Sequence, residues 1–106
     1  MNLPITTKLA GVSYGDAQDN IKQFGCADIG TYALIRESDN PHDSNAIKVS
    51  VAGIWDMGYL PRDVSEDLAP MMDNGRTFLA EFVHRNENSE HDLIGMTVKI
   101  VETSAS

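Results

Sequence analysis

The chain has 106 residues, 42% of them hydrophobic, and a single cysteine, Cys26. That length suits one domain over residues 1–106, with its core at about residues 6–102, and no apolar run nears the roughly 20 residues a membrane-crossing helix needs. Eight Lys/Arg against sixteen Asp/Glu leave a formal net charge of -8; this speaks against a protein that coats duplex DNA through bulk cation–phosphate attraction, while a local site depends on where the cations sit rather than on their sum.

Met1 to Lys8 has neither a basic n-region nor an apolar h-region, so no secretory signal is expected. A lone cysteine forbids an intrachain disulfide and favours a reducing compartment, the cytoplasm, with Cys26 as a buried structural thiol. A first strand is expected from Thr6 to Ser13, followed by a short helix N-capped by Asp16, with Ala17, Ile21 and Phe24 on one face and Gly25 as its stop. Thr31 to Arg36 is rich in β-favouring side chains and reads as a second strand. Glu37 to Asn45 is a loop whose Asp39, Asn40, Asp43 and Asn45 suit Asx turns.

A third strand is expected from Ala46 to Val51, with Ile47, Val49 and Val51 on one face and Lys48 and Ser50 on the other. Gly53 marks a turn into a fourth strand, Trp55 to Tyr59, with Trp55 in the core. Asp63 or Ser65 caps a second helix that reaches Met72, with Val64, Leu68 and Met71 inward. Pro70 predicts a bend there or a division into two short turns, and Asn74-Gly75 a stop. Two strands, Thr77 to Arg85 and Asp92 to Glu102, close the chain around a polar loop, Asn86 to His91. About six strands with two short helices predict an α+β fold, a small OB-like or SH3-like antiparallel β-barrel. An open α+β sandwich is the alternative.

Three blocks carry a family resemblance. The first is Ala10-Gly11-Val12-Ser13-Tyr14 with Asn20-Ile21-Lys22. The second runs from Leu34 to Val49 and contains Arg36-Glu37 followed by Asn40-Pro41-His42-Asp43-Ser44-Asn45-Ala46-Ile47. The third is Met57-Gly58-Tyr59-Leu60-Pro61-Arg62, leading into Leu68-Ala69-Pro70. Together they resemble the HIRAN domain from about Leu9 to Val101. That resemblance implies an OB-like barrel found fused to Swi2/Snf2-type ATPases and as stand-alone bacterial or phage proteins. It also implies a non-catalytic DNA-recognition module, because one eukaryotic branch holds the 3′-hydroxyl end of single-stranded DNA.

By that resemblance Tyr14 matches an aromatic set against the nucleobase, Asp43 the acceptor of the terminal hydroxyl, and Arg62 a basic residue near phosphate. Two positions depart from the branch: Ser13 stands in place of arginine and His42 in place of a stacking tyrosine. Tyr59 replaces histidine and keeps an aromatic face. Loss of the arginine removes one charge-assisted contact of about 1.5–3 kcal/mol.

Residue chemistry alone allows the same site. Tyr14, His42 and Tyr59 offer faces for base stacking, and Arg62 and Lys48 offer charge. It equally allows structural roles: Arg36, Asn40 and Asn45 as loop braces, with Arg36 paired to Asp43, and Tyr14 packed at the core edge. The acid excess favours a second function, an adaptor for a protein partner within a DNA-remodelling or phage assembly. A carboxylate-based metal nuclease is the weakest reading.

No cofactor is expected. The three histidines, His42, His84 and His91, lack zinc spacing, and Asp39 to Asn45 lacks the glycine and glutamate of an EF-hand. No phosphate-cradling Gly-rich loop or nucleophile motif is present.

Overall fold

The alternation of Ile94, Met96, Val98 and Ile100 with Gly95, Thr97 and Lys99 builds the most extensively paired strand of the molecule. In the computed structural model, which describes residues 2–87 and 93–103, the strands are β1 (Ile5–Lys8), β2 (Thr31–Arg36), β3 (Ile47–Val51), β4 (Trp55–Tyr59), β5 (Phe78–Glu87) and β6 (Ile94–Glu102). The helices are α1 (Ala17–Phe24) and α2 (Arg62–Asp73). All six strands form one antiparallel sheet in the order β1-β6-β5-β2-β3-β4. Met96, Val98 and Ile100 are fully buried, with Ile21, Ile47, Val49, Met57 and Leu68. Each such side chain contributes about 1.5–3 kcal/mol through removal of apolar surface from water.

The sheet curls until its outer strands meet at one place. Leu9 donates its N–H to the Met96 carbonyl at 2.9 Å, continuing the line of β1 along β6. The next residue, Ala10, exchanges two backbone bonds with Tyr59, at 2.7 and 2.8 Å. Two consecutive residues thus join β6 to β4 and curl the sheet into a half-barrel closed at this one bridge, in keeping with the expected small OB-like barrel. Gly58 makes the approach possible: its φ is 137°, and a Cβ there would lie 2.7 Å from the Ala10 carbonyl oxygen. Beyond this closure α1 covers the β4 edge, where the buried Asn20 donates its side-chain amide to the Asp56 carbonyl at 2.9 Å.

Several local expectations are corrected. The first strand ends at Lys8, because the positive φ of Gly11 turns the chain after the Ala10 bridge. Asp16 occupies the N-cap position of α1 without a capping side-chain bond. Pro61, in extended conformation, precedes α2, and its carbonyl accepts from Val64 and Ser65; neither Asp63 nor Ser65 is the cap. Pro70 does not split the helix, since it and Glu66, whose carbonyl would have been its partner, both face solvent. Ser65 and Ala69 are buried beside Val64 and Leu68, while Met71 is only partly buried.

At the helix end, Gly75 donates to the Met72 carbonyl and Arg76 to that of Met71, the Schellman pattern that the Asn74-Gly75 stop predicts. Ser50 is buried rather than outward. The alternation breaks at a bulge, where Val49 pairs with Gly58 and Ser50 with Asp56, leaving Met57 without a partner. Trp55 is 45% exposed, resting against Phe24 with ring centroids 5.6 Å apart instead of entering the core. Cys26 is only partly buried. The expected loop Asn86 to His91 begins later, since β5 runs through Glu87; its remainder, with His91, lies outside the described residues.

Candidate functional site

The loop between β2 and β3 is closed on itself by side-chain oxygens. Oδ1 of Asn40 accepts from the backbone N–H groups of His42 at 2.9 Å and Asp43 at 3.1 Å. Oδ1 of Asp43 accepts from that of Asn45 at 2.9 Å, so Asn45 takes part through its backbone. These Asx turns hold Asp43 half-buried. The bracing expected between Arg36 and Asp43 is absent. Arg36 instead forms a bidentate pair with Asp73 of α2, at 3.1 and 3.2 Å, and donates to the Ser44 carbonyl at 2.7 Å. The planar guanidinium fork suits both partners at once and ties the loop to the helix end.

Six of the sequence candidates, Tyr14, Asn40, His42, Asp43, Tyr59 and Arg62, line one cleft of about 530 Å³. Ala10, Gly11, Ala46 and Leu60 complete its wall, so the cleft sits at the seam where the barrel closes. Gly11 lies between the two tyrosines: a Cβ there would come within 3.2 Å of the Tyr14 ring and 3.3 Å of the Tyr59 ring. Tyr14 is 73% exposed, so its ring is no part of the core edge. The Arg62 side chain is equally open at 73%, donates to the His42 carbonyl at 3.1 Å, and stands 4.0 Å from Oδ2 of Asp43. One oxygen of Asp43 is committed to the loop, and the other has only this loose charge pairing.

Residues 5–102, from the first residue of β1 to the last of β6, match the HIRAN domain. The chain belongs to the HIRAN domain family. It is 37% identical over 70 residues to the Fanconi-associated nuclease 1 homolog of Arabidopsis thaliana, covering 66% of this chain and 7% of that protein. It is 48% identical over 42 residues to the helicase-like transcription factor of Oryctolagus cuniculus, covering 40% of this chain and 4% of that one. The chain therefore spans less than a tenth of either relative.

Among solved structures, a protein from Lactobacillus plantarum superposes with a TM-score of 0.69 at 24% identity, covering 90% of each chain. The HIRAN domain of human HLTF superposes with a TM-score of 0.61 at 20% identity, covering 91% of this chain and 73% of that one. At those identities the likeness speaks to the fold alone, and it agrees with the OB-like barrel.

Two site features of this HIRAN domain, Glu37 and Gln18, are not marked in its sequence. Glu37 is the junction under the cleft: its Oε1 accepts from the Tyr59 hydroxyl at 2.8 Å and the Asn40 amide at 3.2 Å, and Oε2 pairs with Lys48 at 3.3 Å. Burial pushes the Glu37 carboxyl up, but the bonds from Tyr59, Asn40 and Lys48 outweigh it and hold the group below the ordinary carboxylate range. Lys48, a sequence candidate for phosphate, is committed to Glu37 and Asp56 and lies outside the first cleft.

Gln18 of α1 donates to the Val12 and Ile94 carbonyls at 2.8 and 2.9 Å and accepts from the Ile94 N–H at 2.8 Å, clamping the turn that carries Tyr14 against β6. Its partner Ile94 lies 76 positions away, so no spacing rule reveals it. Ser13 is exposed and lines neither this cleft nor its neighbour. Among the described residues no group of three or more His, Cys, Asp or Glu side chains is arranged to hold a metal ion, and no helix is long and apolar enough to cross a membrane.

Proposed function

We propose that this HIRAN domain is a non-catalytic module that binds single-stranded DNA, and specifically a 3′-hydroxyl end, in the cleft at the barrel seam. The observation that carries the reading is Asp43, a carboxylate fixed by its own loop, with one oxygen free to accept, beside the exposed Tyr14 ring and the exposed Arg62 guanidinium. A terminal hydroxyl needs an acceptor with a free lone pair. A nucleobase needs an aromatic face, worth about 1–3 kcal/mol per base, and a phosphate needs an accessible cation. Asp43, Tyr14 and Arg62 supply these in that order, with Tyr59 and His42 as further aromatic walls.

Family membership supports the reading, as do relatives whose names place such a segment within a nuclease and a helicase-like transcription factor. The net charge of -8 confines recognition to this local cleft. The test is fluorescence anisotropy at low salt with short single strands that differ only in a 3′-hydroxyl or a 3′-phosphate. Tighter binding of the free hydroxyl supports the reading. Equal binding of both removes the 3′-end component, and no binding of either at high protein concentration removes the DNA reading altogether.

A further inference from the structure

A second cleft, of about 350 Å³, adjoins the first across Gly11, Tyr14 and Tyr59, which line both. Of the five large hydrophobic side chains that stand exposed among the described residues, three gather here: Tyr14 at 73%, Ile54 at 68% and Trp55 at 45%. Isolated exposed apolar groups are ordinary, whereas a cluster around a concavity marks a contact site, and tryptophan and tyrosine are the usual anchors of one. The Val51 to Ile54 turn that presents Ile54 is a fixed feature: Ile54 donates to the Val51 carbonyl at 3.0 Å, and Ala52 and Gly53 both hold positive φ.

The charges of this cleft differ from those of the first. Its charged lining is Asp16, Asp56 and Lys48. Lys48 is already neutralised, 3.5 Å from Asp56 and 3.3 Å from Glu37, and Asp16 has no ion pair among the described residues. No cation comparable to Arg62 stands there to receive phosphate, and the surplus carboxylates repel it. A cationic group is attracted instead.

We propose that the second cleft docks a peptide segment of a partner protein, one that sets a bulky apolar side chain against Trp55 and Ile54 and a neighbouring Lys or Arg against Asp16 and Asp56. The inference stands apart from whatever fills the first cleft. The domain is then bivalent, with Tyr14 and Tyr59 as the shared wall between a nucleic-acid end and a protein.

The experiment selects a Trp-free random heptapeptide library against the immobilised full chain. The enriched peptides are then titrated while the fluorescence of Trp55, the chain's only tryptophan, is followed. The expected result is enrichment of apolar residues flanked by Lys or Arg, with a saturable change in Trp55 emission. Affinity should fall at least about tenfold, roughly 1.4 kcal/mol, in both Ile54→Ser and Asp56→Asn, while Val83→Ser, at an exposed apolar residue outside the cleft, binds as the parent does. Circular dichroism confirms that each variant is folded. No enrichment, enrichment of acidic sequences, or binding indifferent to Ile54→Ser overturns the proposal. So does a single-stranded oligonucleotide that alters Trp55 emission and competes with the peptides, which would make the second cleft an extension of a nucleic-acid track. Loss of oligonucleotide binding at the first cleft, with peptide binding intact, would leave this inference standing and remove only the DNA reading.

Discussion

The hydroxyl of Tyr59 on β4 donates to the carboxylate of Glu37 at the end of β2, at 2.8 Å. That carboxylate also receives Asn40 and Lys48, so one side chain fastens the β2–β3 loop, an aromatic wall of both clefts and the cation of β3. The loop is therefore held from below by the Glu37 carboxylate and at Ser44 by Arg36, in addition to its own turns.

Glu37→Gln should accordingly act on both stability and binding. The amide oxygen at the Oε1 position keeps an acceptor for Tyr59 and Asn40, but the amide nitrogen is set against the Lys48 ammonium, so a loss of about 1–3 kcal/mol is expected, read as a lower denaturant midpoint. Oligonucleotide affinity should fall with it, because the same side chain anchors Tyr59, which lines the cleft. The pH dependence has a fixed sign. Since the folded pKa of Glu37 is depressed, its contribution is present above the unfolded carboxylate pKa and is lost as pH falls through the folded value. The variant should lack that acid-side loss.

At the alkaline end the groups that matter are Tyr32 and Tyr59. Burial pushes both phenols up from 10.0 to about 12, and the Glu37 carboxylate adds to the rise at Tyr59. A folded pKa above the unfolded one favours the neutral form in the fold, so this contribution is complete below the unfolded value and is lost as pH climbs to the folded one. The denaturant midpoint should fall between about pH 10 and 12, with tyrosinate absorbance rising in step. A midpoint that is flat across that window would contradict the burial of these two hydroxyls.

How much of this was legible in the sequence depends on the range of each interaction. The β6 alternation, the Asx loop and the Asn74-Gly75 stop are written in short spacings, and the barrel follows from strands separated by short turns. The site candidates came together because they flank one seam, where Ala10 meets Tyr59. Trp55 departs from its expected face because the bulge adds Met57 to β4, whereas Ser50 is buried although the β2–β3 register runs unbroken past it. The loop offers Asp43 as a brace for Arg36, whereas its partner Asp73 lies on α2, far along the chain. Gln18 and Glu37 carry no local signature, since the partners that give them their roles, Ile94 and Tyr59, are distant in the chain.

Gln18 offers a test of that distant clamp. Gln18→Ala removes three hydrogen bonds and leaves the Ile94 N–H and the Val12 and Ile94 carbonyls to find other partners. A cost of about 1–3 kcal/mol is expected if those groups stay dry. Because the clamp holds the turn between Val12 and Tyr14, weaker oligonucleotide binding should accompany it. Hydrogen exchange at Ile94 should quicken more than at the β6 centre, around Val98. Equal protection at both would show that Gln18 is not what fixes the start of the strand.

Variants at Arg62 and Asp43 test the proposed phosphate and hydroxyl contacts separately. The Arg62 side chain is 73% exposed and its approach to Asp43 is 4.0 Å, so Arg62→Ala should change stability by less than about 0.5 kcal/mol. If Arg62 meets one phosphate, the slope of log affinity against log salt should shrink by about 0.7, the single-strand value per contact. Asp43→Asn keeps an acceptor for the Asn45 N–H and so preserves the turn. It replaces the free carboxylate oxygen with a group that donates, and the preference for a 3′-hydroxyl over a 3′-phosphate should disappear while the salt slope stays as in the parent. Anisotropy titrations of the two variants across a salt series check both outcomes together. A hydroxyl preference that survives in Asp43→Asn would move the acceptor elsewhere in the cleft, and an unchanged slope in Arg62→Ala would leave the phosphate without its cation.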